Sequence, residues 1–523
     1  MAEGIRHEAH FGRVIRCFAD RAANADAMLR AAAAANPDGD AVVDGDVRLS
    51  HRTLDDLATR IAAGLQAQGL KTGDRVALLI GNERRFVACL MGIVRAGMIA
   101  APVSVRASRR ELAYILDDCG AAALIHTPDL AEAAPEKGAF AALSHVIATD
   151  EDAFAALEEA DPAAFEPPPL GEDDAAVILY TSGTTGDPKG AMLTHLNIVH
   201  SAKHFEVCFE MTAADRSVLA VPATHVTGLV ANLFAILSVG GALLILPKFD
   251  VAGFLDLAAR ERMTHTLMVP AMYNLCLLRA ELGDYDLSRW RIGGFGGAPM
   301  PESTIRRLAE KLPDLQLLNA YGSTEVTSPA TMTPLGVRDR ADSVGRAVPC
   351  GDVRIMDADG REVPPGETGE VWIGGPMVVP GYWNKPERTA ESFVGGYWRS
   401  GDVGSMDAEG YLKVFDRLKD MINRGGYKIF SAEVENVLAY HPDVAEVAVV
   451  PQADPVLGER VHAFIHPKAG AAIDEEALRA FCAEQLADYK IPEGFTLSAE
   501  PLPRNPNGKL MKRELRARVA PHA

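Results

Sequence analysis

The stretch Tyr180-Thr-Ser-Gly-Thr-Thr-Gly-Asp-Pro-Lys-Gly190 follows directly on the apolar run 175–180. A buried strand that opens into small hydroxyl residues and glycines exposes backbone N–H groups and leaves room for phosphate oxygens. Lys189 adds a cation. The spacing G-x-x-x-x-G-K-[ST] of a Walker A loop is absent. Taken alone, such a turn reads as a phosphate cradle or as an ordinary loop.

Its surroundings narrow the fold. Upstream, Leu54, Leu57, Ala58, Ile61 and Leu65 form a helical stripe over 53–70, followed by a buried-strand candidate at 76–80. A helix near 86–95, a strand near 98–103, a helix near 109–118 and a strand at 122–126 continue the alternation. Downstream, strands are expected at 217–221, 242–246, 266–269 and 315–318. Alternating β and α elements of this length predict a parallel sheet covered by helices. Segment 162–174, with Pro167, Pro168 and Pro169 at its centre, reads as a surface connector. After about residue 350 the pattern changes to short alternating runs with Gly and Pro turns, such as 369–374. From residue 418 an α+β segment follows, with strands at 444–450 and 461–466 and helices near 432–440 and 475–486. The fold class is therefore α/β. A large N-terminal domain (1–417) of βα-type sheets carries a small β-barrel-like portion, and a small, mobile α+β domain (418–523) follows.

The 523 residues carry a net charge of −19, which argues against nucleic acid as the main partner, because backbone binding needs a concentrated positive face. Seven scattered cysteines without a C-x-x-C pair read as reduced thiols of a cytoplasmic protein. The N-terminus lacks the uninterrupted apolar core of a secretory signal. Segment 226–247 contains no charged residue, yet Asn232, Ser238 and Gly240-Gly241 interrupt it. A helix, a glycine turn and a strand explain it better than a membrane span.

Further motifs follow the 181–189 loop in a fixed order. They are Pro222-Ala-Thr-His225, Gly296-Gly-Ala-Pro299, Asn319-Ala-Tyr-Gly-Ser-Thr-Glu325, Gly366-Glu-Thr-Gly-Glu370 and Gly381-Tyr-Trp-Asn384. Then come Tyr397-Trp-Arg-Ser-Gly-Asp402, Asp416-Arg-Leu-Lys-Asp420, Gly425-Gly426 and Pro503-Arg-Asn-Pro-Asn-Gly-Lys509. Over nearly its whole length the chain resembles the adenylate-forming superfamily, in its branch of acyl- and aryl-CoA ligases.

The resemblance implies an ATP-dependent carboxylic acid:CoA ligase, an acid–thiol ligase. Attack of the carboxylate on the ATP α-phosphate gives acyl-AMP and pyrophosphate, and the thiol of coenzyme A then displaces AMP. It further implies that Thr181, Ser182, Gly183, Thr184, Thr185, Gly186 and Lys189 hold the β- and γ-phosphates. Gly297, Ala298 and Pro299 would wall one side of the adenine slot, with Tyr321 stacking on the other beside Gly322 and Asn319 meeting the base. Thr324 would contact the α-phosphate and Glu325 would ligate Mg²⁺, which one carboxylate beside a triphosphate can hold. Asp402 and Arg417 would hold the ribose. Lys509 would enter during adenylation to bridge the carboxylate and α-phosphate oxygens. Lys419 would be the hinge about which the C-terminal domain rotates, bringing Gly425 and Gly426 to the thiol tunnel, where missing side chains leave room for the pantetheine arm. Arg424 and Lys428 flank those glycines and are readable either as CoA-phosphate contacts or as solvated cations.

Aligning the motifs places His204, His225, Thr227, Met272, Val326, Thr327 and Ser328 around the acid, with His225 as a gate near its carboxylate. No Asp or Glu lies in 222–228 to hold an ammonium group, which disfavours amino acids. No additional arginine is evident in these pocket segments, which disfavours a dicarboxylate such as malonate. A monocarboxylic fatty or aromatic acid is expected. Only fourteen residues follow Lys509, leaving no room for a carrier domain, so free coenzyme A is the expected acceptor. Loading of a separate carrier protein is the alternative. The motif residues Lys509, Glu325 and Asp402 are all present, against a non-catalytic ligand-binding homologue. Expected partners are thus small molecules, without a transmembrane segment, in a monomer or homodimer.

Overall fold

The computed structural model describes residues 4–181, 188–298, 300–471, 473–504 and 510–519. The chain forms two compact units. The first holds Met1–Val353 and Trp372–Arg399, and the second holds Arg354–Val371 and Ser400–Ala523.

Two sheets build the first unit. One has the strand order Lys189–Thr194, Ala175–Thr181, Ile99–Pro102, Arg75–Leu79, Ala121–His126 and His145–Ala148. All its neighbours are parallel except the first pair, in which Thr181 faces Lys189 and Tyr180 faces Gly190. The glycine-rich turn therefore joins two antiparallel strands, whereas the sequence suggested only the incoming one. The second sheet has nine strands. Its parallel centre runs Gln316–Tyr321, Ile292–Phe295, His265–Met268, Arg216–Leu219, Ala242–Ile245 and Asp40–Asp44.

The helices follow local rules. His51–Ala67 starts where the Ser50 side chain accepts the Thr53 N–H, and it buries Leu54, Ala58, Ile61 and Leu65, as its stripe predicts. It packs closely on Arg84–Arg95, because a Cβ on Gly92 would lie 2.8 Å from Ile61. Arg109–Cys119 opens with a Ser108/Glu111 capping box and ends at left-handed Gly120.

The uncharged segment becomes a π-helical stretch, Thr227–Phe234, continued by Ala235–Ser238 and then the strand Ala242–Ile245. Among the described residues no helix is long and apolar enough to cross a membrane. The acidic end of the connector is anchored in place. Arg21 binds Glu172 and Glu8, and His10 binds Asp173. All seven cysteines are free thiols.

In the second unit, Leu412–Arg417 pairs antiparallel with the strand that carries Asp402. Its C-terminal part has the expected α+β character. Gly458–Pro467 lies between Val444–Asp454 and Ile422–Arg424, with Gly494–Leu497 alongside. Ser431–Ala439 and Glu475–Ala483 contribute Val434, Leu438, Leu478 and Cys482 to its core.

Candidate active site

Ile292–Phe295 and Gln316–Tyr321 are parallel neighbours, with Phe295 beside Asn319. Open α/β sheets bind ligands outside the carboxyl ends of their strands. The two segments leaving those ends here are 296–298 and 322–328. Gly296 fits only as glycine, since a Cβ would lie 2.4 Å from the Ala320 carbonyl oxygen, and Gly297 has φ +77°. This bare backbone lies beside the strand that ends in Asn319 and Tyr321. Asn319 is fixed through its main chain, which exchanges hydrogen bonds with Thr333 in both directions. Gly322 packs tightly on 328–330. Thr324 and Glu325 are buried in the short turn that follows, with Val326.

Glu325 is not isolated. The Tyr382 hydroxyl donates to Glu325 Oε1 at 2.9 Å, and Lys189 Nζ donates to the same phenol oxygen at 3.3 Å. Lys189 Nζ also sits 4.3 Å from the Tyr382 ring centroid, within cation–π range. Burial, and then the Glu325 charge, push the Tyr382 hydroxyl far above its ordinary range, so it keeps its proton. Burial lowers the Lys189 ammonium, and the Glu325 charge opposes that fall. Among the described residues Glu325 Oε2 takes part in no hydrogen bond. The Ser323 and Thr327 hydroxyl oxygens nearby in the chain are buried and have no hydrogen-bond partner among the described residues. A carboxylate oxygen and hydroxyls left over in a buried turn fit a hard cation such as Mg²⁺, which takes oxygen ligands.

The 222–228 loop is pinned by a residue the sequence did not single out. Asn82 donates to the carbonyls of Leu219, Val221 and Leu246, and its side-chain oxygen accepts from Ala223 N–H. A lone Asn gives no periodic signal that would have found it. Gly228 closes the loop, since a Cβ there would lie 2.2 Å from the Pro222 carbonyl oxygen. His225 Nδ1 accepts the Thr227 N–H at 3.2 Å, which leaves the proton of the neutral ring on Nε2. His225 and Thr227 are thereby brought together. His204 is fully buried against Phe18 and His200, and burial lowers its pKa to about 3. Met272 is half-buried at the edge of the core, and Thr327 and Ser328 have φ +49° and +36°.

In the second unit Asp402 and Arg417 face each other across antiparallel strands, with Arg417 Nε 3.0 Å from Asp402 Oδ1. Asp402 N–H donates to Ser400 Oγ, which donates in turn to the Val371 carbonyl. Lys419 lies exposed in the turn after Arg417, where its carbonyl accepts from Arg516 at 2.6 Å. Gly425 (φ +57°) and Gly426 (φ +95°) form the tip between Ile422–Arg424 and Tyr427–Ile429. Arg424 is held by Glu493 at 2.6 Å, and Lys428 is exposed. Ser182, Gly183, Thr184, Thr185, Gly186, Pro299 and Lys509 lie outside the described residues.

Residues 29–383 match the family model of the AMP-binding enzyme, and residues 433–509 match that of the AMP-binding enzyme C-terminal domain. The chain belongs to the AMP-binding enzyme family. Within it, the chain is 37% identical over 491 residues to a feruloyl-CoA synthase of Amycolatopsis sp, covering 92% of this chain and 96% of that protein. It is 35% identical over 497 residues to a long-chain-fatty-acid–CoA ligase of Mycobacterium tuberculosis, covering 94% and 97%. The structure of the anthranilate CoA ligase AuaEII in complex with anthranoyl-AMP superposes with a TM-score of 0.88 at 25% identity, covering 95% of this chain and 97% of that one. Family membership agrees with the order of motifs in the sequence.

Proposed function

We propose that the chain is an AMP-forming carboxylic acid:CoA ligase acting on a monocarboxylic aromatic or fatty acid. In the first step a carboxylate oxygen attacks the α-phosphorus of ATP, the bond to the bridging oxygen breaks, and pyrophosphate leaves. In the second, the CoA sulfur attacks the acyl carbon of acyl-AMP, the acyl–oxygen bond breaks, and AMP leaves with the electron pair. The observation that carries this reading is the pairing of bare backbone at 296–297 with Asn319, Tyr321, Thr324 and Glu325 at adjacent strand ends, in a chain whose relatives are named CoA ligases.

Each residue then has a task. Tyr321 stacks on adenine against 297–298, and Asn319 meets the base edge. Thr324 hydrogen-bonds the α-phosphate. Asp402 accepts from the ribose hydroxyls, with Arg417 holding the carboxylate in place. Lys189 and the turn before it neutralise the outer phosphates. Bound Mg²⁺, held by Glu325, supplies charge neutralisation on the phosphates. Lys509 bridges the reacting oxygens during adenylation, and a rotation at Lys419 carries 418–523 to the state in which Gly425 and Gly426 admit pantetheine. His225, protonated on Nε2, gates the carboxylate side. Val326, Thr327 and Ser328 line the acid pocket, whose mixed polarity suits a short aromatic or fatty acid. Seven free thiols fit a cytoplasmic location.

The test is AMP formation with a panel of aryl, short, medium and long fatty and amino acids, each with and without CoA. CoA-dependent AMP release with a monocarboxylic acid is expected. Turnover with amino acids alone, or only with a carrier protein as acceptor, overturns the reading.

A further inference from the structure

We propose that Tyr382 is a positioning residue of the nucleotide site. Its single hydroxyl holds Lys189 and Glu325 together, and so keeps Glu325 Oε2 available as the metal-binding oxygen. This rests on the nucleotide reading above.

The geometry is a short chain of donors. The Lys189 ammonium donates to the phenol oxygen, and the phenol O–H donates to Glu325 Oε1. An ammonium and a carboxylate this near would otherwise pair directly, and the carboxylate would be drawn onto the lysine. The phenol oxygen stands between them and occupies one carboxylate oxygen only.

The tyrosine is itself fixed by both elements it serves. Trp383 N–H donates to the Gly190 carbonyl at 2.7 Å, and Met192 N–H donates to that of Gly381 at 3.2 Å. Val379 N–H donates to the Glu325 backbone carbonyl at 3.0 Å. Segment 379–383 therefore grips the strand of Lys189 and the turn of Glu325 by main chain, and the two side chains through one hydroxyl. The ring rests edge-on against Phe393, 4% exposed overall, so little else can occupy its place.

Tyr382→Phe keeps the ring and removes only the hydroxyl. The probe is Mn²⁺ with ATP, read by electron paramagnetic resonance, beside calorimetry of AMP binding in EDTA. A hydrogen bond to a charged group moves an equilibrium by about tenfold or more. The expected result is therefore Mn²⁺ affinity of the protein–ATP complex lowered by about tenfold, with AMP affinity kept at the wild-type value. In the Glu325→Gln background the same substitution should produce no further loss. Unchanged Mn²⁺ affinity, equal loss of AMP and Mn²⁺ binding, or additive losses in the double variant each overturn the role of Tyr382. Failure of the wild-type protein to bind Mn²⁺ with ATP overturns the nucleotide reading, and the proposal with it.

Discussion

At Gly296 the constraint is a distance. A methyl group there would lie 2.4 Å from the Ala320 carbonyl oxygen, so Gly296→Ala must push apart two neighbouring strand ends. The expected cost is about 1–3 kcal/mol of stability, measured by urea denaturation, with a loss of AMP affinity because Asn319 and Tyr321 leave the same strand end. A stable variant with unchanged AMP binding would show that the strand ends have room to spare. Lys509 belongs to the same scale with the opposite logic, because its proposed role rests on a single charge. Lys509→Ala should reduce acyl-AMP formation by about 10²-fold or more, on the scale of removing one transition-state donor. Thioester formation from supplied acyl-AMP should persist. Equal loss of both half-reactions refutes the assignment. Arg424, readable from the sequence as a CoA contact, is engaged by Glu493 across 69 residues, a pairing that no local pattern announces.

Between residues and the whole lie two elements that the proposed function uses. The π-helical stretch Thr227–Phe234 is stitched down by buried Asn232. Its amide donates to the carbonyls of Thr227 and Leu267, and its oxygen accepts from Leu267 N–H. The sequence marked Asn232 as an interruption of an apolar helix. The structure shows it satisfying backbone groups beside the His225 loop, and wide helical turns of this kind recur at functional sites. The other element is the turn after Arg417. Lys419→Pro restricts φ at the proposed pivot. It should lower thioester formation by about tenfold more than adenylation, compared in separate half-reaction assays. Equal rates in both would place the pivot elsewhere.

Across the whole molecule, the net charge of −19 is compatible with the proposed anionic ligands, because the reading above has them held by bare backbone and a few placed cations. The same core buries neutral histidines. Burial lowers His195 and His200 to about 4 and His204 to about 3, against 6.5 in an unfolded chain. The unfolded state therefore binds protons first. The stability these rings contribute is complete above pH 6.5 and is lost as pH falls through 4, at about 1.4 kcal/mol per pH unit for each ring. His204→Leu should flatten the dependence of unfolding free energy between pH 6.5 and 4 by one such increment, measured by denaturant titration. An unchanged slope would mean that His204 is protonated in the folded state.

The sequence by itself determined the α/β class, the family and the order of the motifs. Those signals are local: helical stripes, apolar runs, glycines where backbone must come close, and charged residues at fixed spacing. The first strand before the glycine-rich turn was legible, but its antiparallel partner Lys189–Thr194 was not, because six residues of mixed polarity carry no clear period. Only the tertiary structure decided that Asn82 holds the 222–228 loop, that Arg424 pairs with Glu493, and that Tyr382 joins Lys189 to Glu325. These contacts link residues 57 to 193 positions apart in the most telling case. A chain's pattern encodes which face of each element is buried. Which polar atoms then meet is settled by packing, when a buried hydroxyl must find a partner or pay the cost of desolvation.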